Sequence, residues 1–325
     1  MKIFYSMLFV LLVVSCDNDE NEIDEHKWDA VVSDYLSKYE SVKDKASFIF
    51  FTDPHLLSSN NNFSNEVKSK IESSILPMKE LYSLLPINFC LCGGDWLNSR
   101  DTQVIAKQKI LFADQQMKAL FPKYYKMLGN HDTNYLGYIS SESLERGDFS
   151  RSFINNKYFS DTKSAFYSFE DQNTRFFILD SGLDIESNII DDYKKEQLLW
   201  LTTQLEKNKS RHLIIGIHMF YDATITSMSN EIVNICNAYN TKKEITLFDN
   251  KIDFTNASGI IHLILTGHRH TDTIDYEKDI PIVGTCRYIQ DGTPCFDICL
   301  LNYDNGYLLM KRVGLGEDRY IKLYQ

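Results

Sequence analysis

Five short segments constrain this chain of 325 residues more than any other feature: TDPH at 52–55, GGD at 93–95, GNHD at 129–132, His218, and GHRH at 267–270. Each follows an apolar run of the kind that forms a buried strand. Together they bring three carboxylates, one amide and five of the eight histidines, leaving only His26, His212 and His262 elsewhere. A single strand-end histidine is ordinarily a core or surface residue. Five such segments concentrate nitrogen and oxygen donors at strand ends, which is the inventory of a site for two metal ions.

The apolar runs also predict architecture. Strands at residues 48–52, 87–92 and 124–128, separated by helices at 65–84 and 102–120, read as βαβ units with a parallel sheet. Functional groups in such sheets gather beyond the carboxyl ends of the strands, so Asp53, Asp95 and Asn130 can meet although far apart in sequence. Further strands are predicted at 165–169, 176–179, 213–217, 260–265, 281–285, 296–303 and 306–313, with fewer helices between them, which points to a more antiparallel second sheet. Trp28, Val31, Val32, Tyr35, Leu36, Tyr39 and Val42 recur at helical spacing, predicting an amphipathic helix within 26–43 that packs on the main domain. Residues 133–162 lack periodicity and follow GNHD directly, as a lid, a binding loop or a plain surface excursion would.

In order and spelling the segments resemble the calcineurin-like metallophosphoesterase superfamily, whose pattern runs DxH, GD, GNH followed by an acid, a His after a strand, then GHxH. The resemblance spans residues 46–314 and extends to YSF at 167–169, RFFILDS at 175–181 and QLLWLTTQL at 197–205. It implies an α/β fold of two packed mixed β-sheets flanked by helices. It also implies that Asp53, His55, Asp95 and His270 hold one ion, that Asp95 is shared, and that Asn130, His218 and His268 complete the second. By the same resemblance His131 protonates the leaving oxygen or steadies the transition state, and Asp132 orients that imidazole by accepting its other N–H. A purely structural turn is the other reading of this pair. The donors include no thiolate, which is compatible with two divalent ions from among Mn, Fe, Zn, Co and Ni. Where the purple acid phosphatase branch has a metal-binding Tyr, this chain has Asn98, and it keeps His55, so an iron-tyrosinate colour is not expected.

The chemistry implied is hydrolysis of phosphomonoesters or phosphodiesters by a metal-activated bridging hydroxide, with His131 as proton donor. Two divalent ions bring about +4 against two ligand carboxylates, an excess suited to an anionic phosphate ester. A nuclease or phospholipase of the same superfamily, or a non-catalytic surface protein binding a phosphorylated ligand, are the alternatives. The formal charge of −11 argues against nucleic acid as a partner, since backbone binding needs a basic stripe. Arg269, Arg287 and Tyr221 adjoin the segments and suit either substrate contacts or ordinary surface roles.

At the amino end, Lys2 precedes a mostly apolar stretch at 3–14, and VVSC at 13–16 resembles a bacterial lipobox. The stretch is too short to span a bilayer comfortably. The resemblance implies a signal peptide at 1–15 and a lipid anchor on Cys16; an uncleaved anchor is the alternative. Residues 17–25, DNDENEIDE, carry six acids in nine positions and read as a solvated tether. The acidic run resembles surface-export tags and Asp17 resembles an inner-membrane retention signal, so the outer-membrane surface and the periplasmic face are both open. Either places the helix at 26–45 and the metallophosphoesterase domain at 46–325 outside the cytoplasm. That location permits disulfides, for which Cys286, Cys295 and Cys299 are best placed, whereas Cys90 and Cys92 read as core residues on one strand face.

Overall fold

A computed structural model describes residues 26–43, 45–55, 63–98, 101–134, 149–181, 190–221 and 228–325. The expected signal peptide, the lipidated Cys16, the tether and residues 135–148 of the expected loop lie outside the described residues. Helix α1 (Asp29–Tyr39) precedes β1 (Lys45–Phe51), α2 (Asn65–Leu84), β2 (Phe89–Cys92), α3 (Gln103–Leu120) and β3 (Tyr124–Lys126). Then come the short α4 (Arg151–Phe153), β4 (Tyr167–Asp171), β5 (Thr174–Leu179), α5 (Ile190–Glu206), β6 (His212–Ile217) and α6 (Ser229–Asn240). A hairpin of β7 (Glu244–Leu247) and β8 (Asn250–Asp253) leads to β9 (Ile260–Thr266), β10 (Thr273–Glu277) and β11 (Ile280–Gly284). The small pair β12 (Ile289–Gln290) and β13 (Thr293–Pro294) is followed by β14 (Phe296–Asn302), β15 (Tyr307–Val313) and β16 (Arg319–Lys322).

Two six-stranded mixed sheets result, ordered β16-β15-β14-β1-β2-β3 and β10-β11-β9-β6-β5-β4. The first three strands are parallel, as the βαβ reading requires. The second sheet is not the more antiparallel one: β5, β6, β9 and β11 run parallel, and only the edge strands β4 and β10 are reversed. The antiparallel content is the meander β14–β15–β16, which joins the first sheet beside β1. Such strands close through short local turns without helices. Sparse helix between the last strands therefore reflects a meander and does not reveal which sheet it enters.

Side-chain alternation makes the layers. In β5, Phe176 and Ile178 face the inter-sheet core with Phe48, Phe89 and Leu265, while Phe177 and Leu179 face α5 and α6 in a second core. Phe48 and Phe176 meet edge-on with ring centroids 5.6 Å apart, and Phe169 stacks on Phe176 at 4.8 Å. Such pairs add about 0.5–1.5 kcal/mol each to their area burial. Helix α1 lies against the outer face of the first sheet: Tyr35 is fully buried with its hydroxyl 2.5 Å from Ser47 Oγ, and Trp28 Nε1 donates to Glu80 of α2 at 2.8 Å. Cys90, Cys92, Cys236, Cys286, Cys295 and Cys299 are buried free thiols, so no disulfide joins Cys286, Cys295 or Cys299.

Candidate metal centre

All five segments emerge from carboxyl ends of parallel strands. Asp53 and His55 follow β1, Asp95 follows β2, Asn130 and His131 follow β3, His218 follows β6, and His268 and His270 follow β9. The first three strands belong to one sheet and the last two to the other, so the cluster straddles the seam between them. Asp53, His55, Asp95, His268 and His270 all have left-handed backbones, with φ of 51°, 42°, 64°, 71° and 57°. A residue other than glycine held there costs about 1–2 kcal/mol. Interlocking bonds between the loops hold the strain: Asp53 N–H donates to Gly94 O at 2.9 Å, His55 N–H to Asp95 O at 3.0 Å, and Gly267 N–H to His218 O at 3.0 Å. Gly129 is required by close approach, because a Cβ there would overlap the Asp95 carboxylate and amide nitrogen.

Two sets of donor atoms converge. In one, His55 Nε2 and His270 Nε2 lie 3.1 Å apart, with Asp53 Oδ1 at 3.7 and 3.1 Å from them. In the other, His218 Nε2 lies 3.1 Å from both Asp95 Oδ2 and Asn130 Oδ1, and His268 Nδ1 lies 3.0 Å from Asn130 Oδ1. Asp95 Oδ2 is also 3.7 Å from His55 Nε2, so it stands between the sets. Backbone carbonyls fix two tautomers: His55 Nδ1–H donates to Leu97 O at 2.8 Å and His218 Nδ1–H to Gly93 O at 2.6 Å, turning each Nε2 lone pair inward. Asp53 Oδ2 accepts from Thr52 Oγ1 at 2.7 Å and His268 N–H at 2.9 Å, while Asp95 Oδ1 accepts His131 N–H at 2.8 Å. The sequence assigns no role to these carbonyls or to Thr52. Thr52 had a signal, adjoining a ligand in TDPH, but main-chain acceptors have none.

Charge explains what the cluster requires. Asp53 and Asp95 are fully buried, and Asp53 Oδ1 and Asp95 Oδ2 accept no hydrogen bond from the described residues. Burial opposes charge on Asp53, but the imidazoles of His218, His270 and His55 close beside it outweigh that and hold the carboxyl well below its usual range. Burial likewise opposes a proton on His218, yet Asp95 and Asp53 raise it to about 10. Two inward carboxylate oxygens thus demand positive charge, and the imidazole lone pairs beside them accept a cation as readily as a proton. An all-nitrogen-and-oxygen donor set fits a divalent Mn, Fe, Zn, Co or Ni ion. The groups Asp53–His55–His270, Asp95–His218–His268 and His55–Asp95–His131 are each close enough to hold one.

Asp132, expected to orient His131, has its carboxylate engaged by backbone amides. Its oxygens accept backbone N–H groups from Asp95 at 2.8 Å, Trp96 at 2.7 Å, Leu97 at 3.2 Å and Gly129 at 3.2 Å. Fully buried, it clamps the GGD loop to the GNHD turn; burial and the neighbouring Asp95 raise its carboxyl to about 7. The reason is geometric: the 3₁₀ turn His131–Thr133 carries Asp132 inward under the loop. His131 itself is half-buried beside His55, with ring centroids 4.8 Å apart, and burial holds its pKa below the usual value. Arg269 pairs with Asp275 at 3.1 Å and Tyr221 donates to Glu277 at 3.3 Å, so both engage acids of β10.

No family model matches the chain and no curated protein matches its sequence. Among solved structures, a dimetal phosphatase from Danio rerio superposes with a TM-score of 0.59 at 13% identity, over 86% of this chain and 99% of that one. GAP50 of Plasmodium, described as the anchor in the inner membrane complex, gives a TM-score of 0.48 at 10% identity over 87% and 90% of the two chains. At these identities the likeness speaks for fold alone: two mixed sheets flanked by helices, shared with that dimetal phosphatase.

Proposed function

We propose that this chain is a metal-dependent phosphoester hydrolase. The observation that carries the reading is the convergence, across the seam of two sheets, of two buried carboxylate oxygens on the ring nitrogens of four histidines. Asp53, His55 and His270 would hold one cation, Asn130, His218 and His268 the other, and Asp95, which lies near both sets, would be shared. When bound, two such ions supply Lewis-acid charge to phosphoryl oxygens and lower the pKa of a water held there. The Danio rerio protein of the same fold is named a dimetal phosphatase, which supports the same chemistry here.

The chain's own residues do the rest. Thr52, Leu97 O and Gly93 O lock donor orientations before any ligand arrives, so little reorganisation is needed. His131, beside the first set of donors, has its proton affinity reduced by burial. At neutral pH its imidazole is therefore mainly uncharged and acts as an N–H hydrogen-bond donor to the leaving oxygen, while the fraction carrying a second proton can transfer it and return to the neutral ring. Negative overall charge favours a small phosphate ester over a polynucleotide. The lipobox-like VVSC at 13–16 supports lipid anchoring at Cys16 outside the cytoplasm.

The test is cleavage of paired chromogenic phosphomonoester and bis-ester substrates after chelation and re-addition of Mn, Zn, Fe, Co or Ni. Metal-restored turnover that disappears in Asn130→Ala supports the proposal and reveals the ester preference. Metal binding without cleavage of either ester contradicts it.

A further inference from the structure

Behind the GHRH loop lies a neutral square of two arginines and two aspartates that none of the preceding roles uses. Arg312, on β15, has a side chain only 2% exposed. Its guanidinium forks onto Asp297 of β14, with Nε to Oδ1 at 2.9 Å and Nη2 to Oδ2 at 3.2 Å. Arg319, at the start of β16, donates Nη2 to the same Asp297 Oδ2 at 2.9 Å and Nη1 to Gly284 O at 2.6 Å. Asp297 is fully buried. There one carboxylate meets two guanidiniums, and Gly284, the last residue of β11 in the second sheet, supplies a neutral acceptor to Arg319.

The fourth corner is different. Asp272 lies two residues beyond His270, and its Oδ1 accepts Arg312 Nη2 at 2.6 Å and Cys286 N–H at 3.0 Å, with Arg319 Nη1 at 3.4 Å. Cys286 follows β11 of the second sheet, whereas Arg312 and Arg319 belong to the first. One carboxylate therefore ties the loop that carries His268 and His270 to the sheet that carries Asp53, His55, Asp95 and Asn130. Charge-assisted bonds to a rigid, planar guanidinium fix direction as well as distance.

We infer that the Asp272–Arg312–Asp297–Arg319 square is a positioning device for the metal centre, holding its two halves at the spacing two cations require. The inference rests on the proposed function only in taking those histidines as metal ligands. Asp297 is the wrong residue to probe, because removing it strands two buried guanidiniums. Asp272, with a side chain 31% exposed, can be changed while Asp297 still accepts hydrogen bonds from both arginines.

The experiment is a calorimetric Mn²⁺ titration of the full chain, wild type against Asp272→Asn, at low and high salt, with metal-free melting temperatures measured alongside. The expected result is affinity lower by about tenfold, the scale for groups that orient ligands. The loss persists at high salt, and the metal-free melting temperature moves by less than about 3 °C. Unchanged affinity overturns the inference. So does a loss abolished by salt, which marks a mere field effect, or one that only tracks general destabilisation. Because binding is read, the two ideas fail separately: wild-type protein that binds manganese but cleaves no ester defeats the proposed function and leaves this one standing.

Discussion

His262, far from the segments that define the site, makes a quantitative prediction about pH. It sits on β9 with 5% exposure. Its Nδ1–H donates to Tyr324 O at 2.7 Å, so its Nε2 must accept from His212 Nδ1 at 2.8 Å, and His212 stacks flat on Tyr303 at 3.5 Å. A proton on Nε2 would oppose the His212 N–H across that distance. Burial first, then His212 and Arg211, depress the pKa to about 4, against the pull of the Tyr324 carbonyl. The unfolded chain takes up this proton near 6.5 and the folded chain only near 4, so between those values the unfolded state binds more protons and stability falls as pH falls. At about 1.4 kcal/mol per pH unit the loss amounts to about 3 kcal/mol once pH 4 is reached. His262→Gln keeps a donor and an acceptor but does not titrate. Urea unfolding of metal-free wild type and variant from pH 7.5 to 4 should show their stability difference shifting in the variant's favour by about 3 kcal/mol. Parallel pH profiles would refute the reasoning.

Replacing His131 by Ala should leave metal stoichiometry unchanged and lower turnover by about 10²- to 10⁴-fold; unaltered turnover defeats its assigned role. Gly129→Ala drives a methyl into the Asp95 carboxylate, so metal content measured on the folded protein should fall. Asp132→Asn exchanges one acceptor oxygen for an amide that cannot accept the facing N–H groups, and should destabilise the metal-free protein by about 1–3 kcal/mol in chemical denaturation. Were Asp132 instead an orienter of His131, the loss would appear in turnover with little change in stability.

Much of the molecule was legible because local and global signals agree. The helix at 65–84 coincides with α2, and every strand end carrying a proposed ligand was placed within a few residues, because buried parallel strands are near-continuous apolar runs. Short or weakly patterned strands were missed: β10 alternates partly exposed Ile274 and Tyr276 with polar neighbours at a sheet edge, and β16 is half polar. Helix α6 also went unread, although its buried face includes Ile232, Ile235, Cys236 and Tyr239. The backbone bonds of Asp132 left no signal in the sequence, because adjacency to His131 suggests a pair, whereas the turn sends the carboxylate toward amides of a distant loop. Long-range pairing of Asp272 with Arg312, 40 residues on, leaves no local pattern.

The most direct test of the central claim is to count metal ions per chain after loading with manganese and removing excess, in wild type and in Asp95→Ala and Asn130→Ala. Two ions in the wild type, with loss in both variants, is the predicted result. A wild type that retains none, or variants that retain the full complement, would contradict a metal centre built across the two sheets.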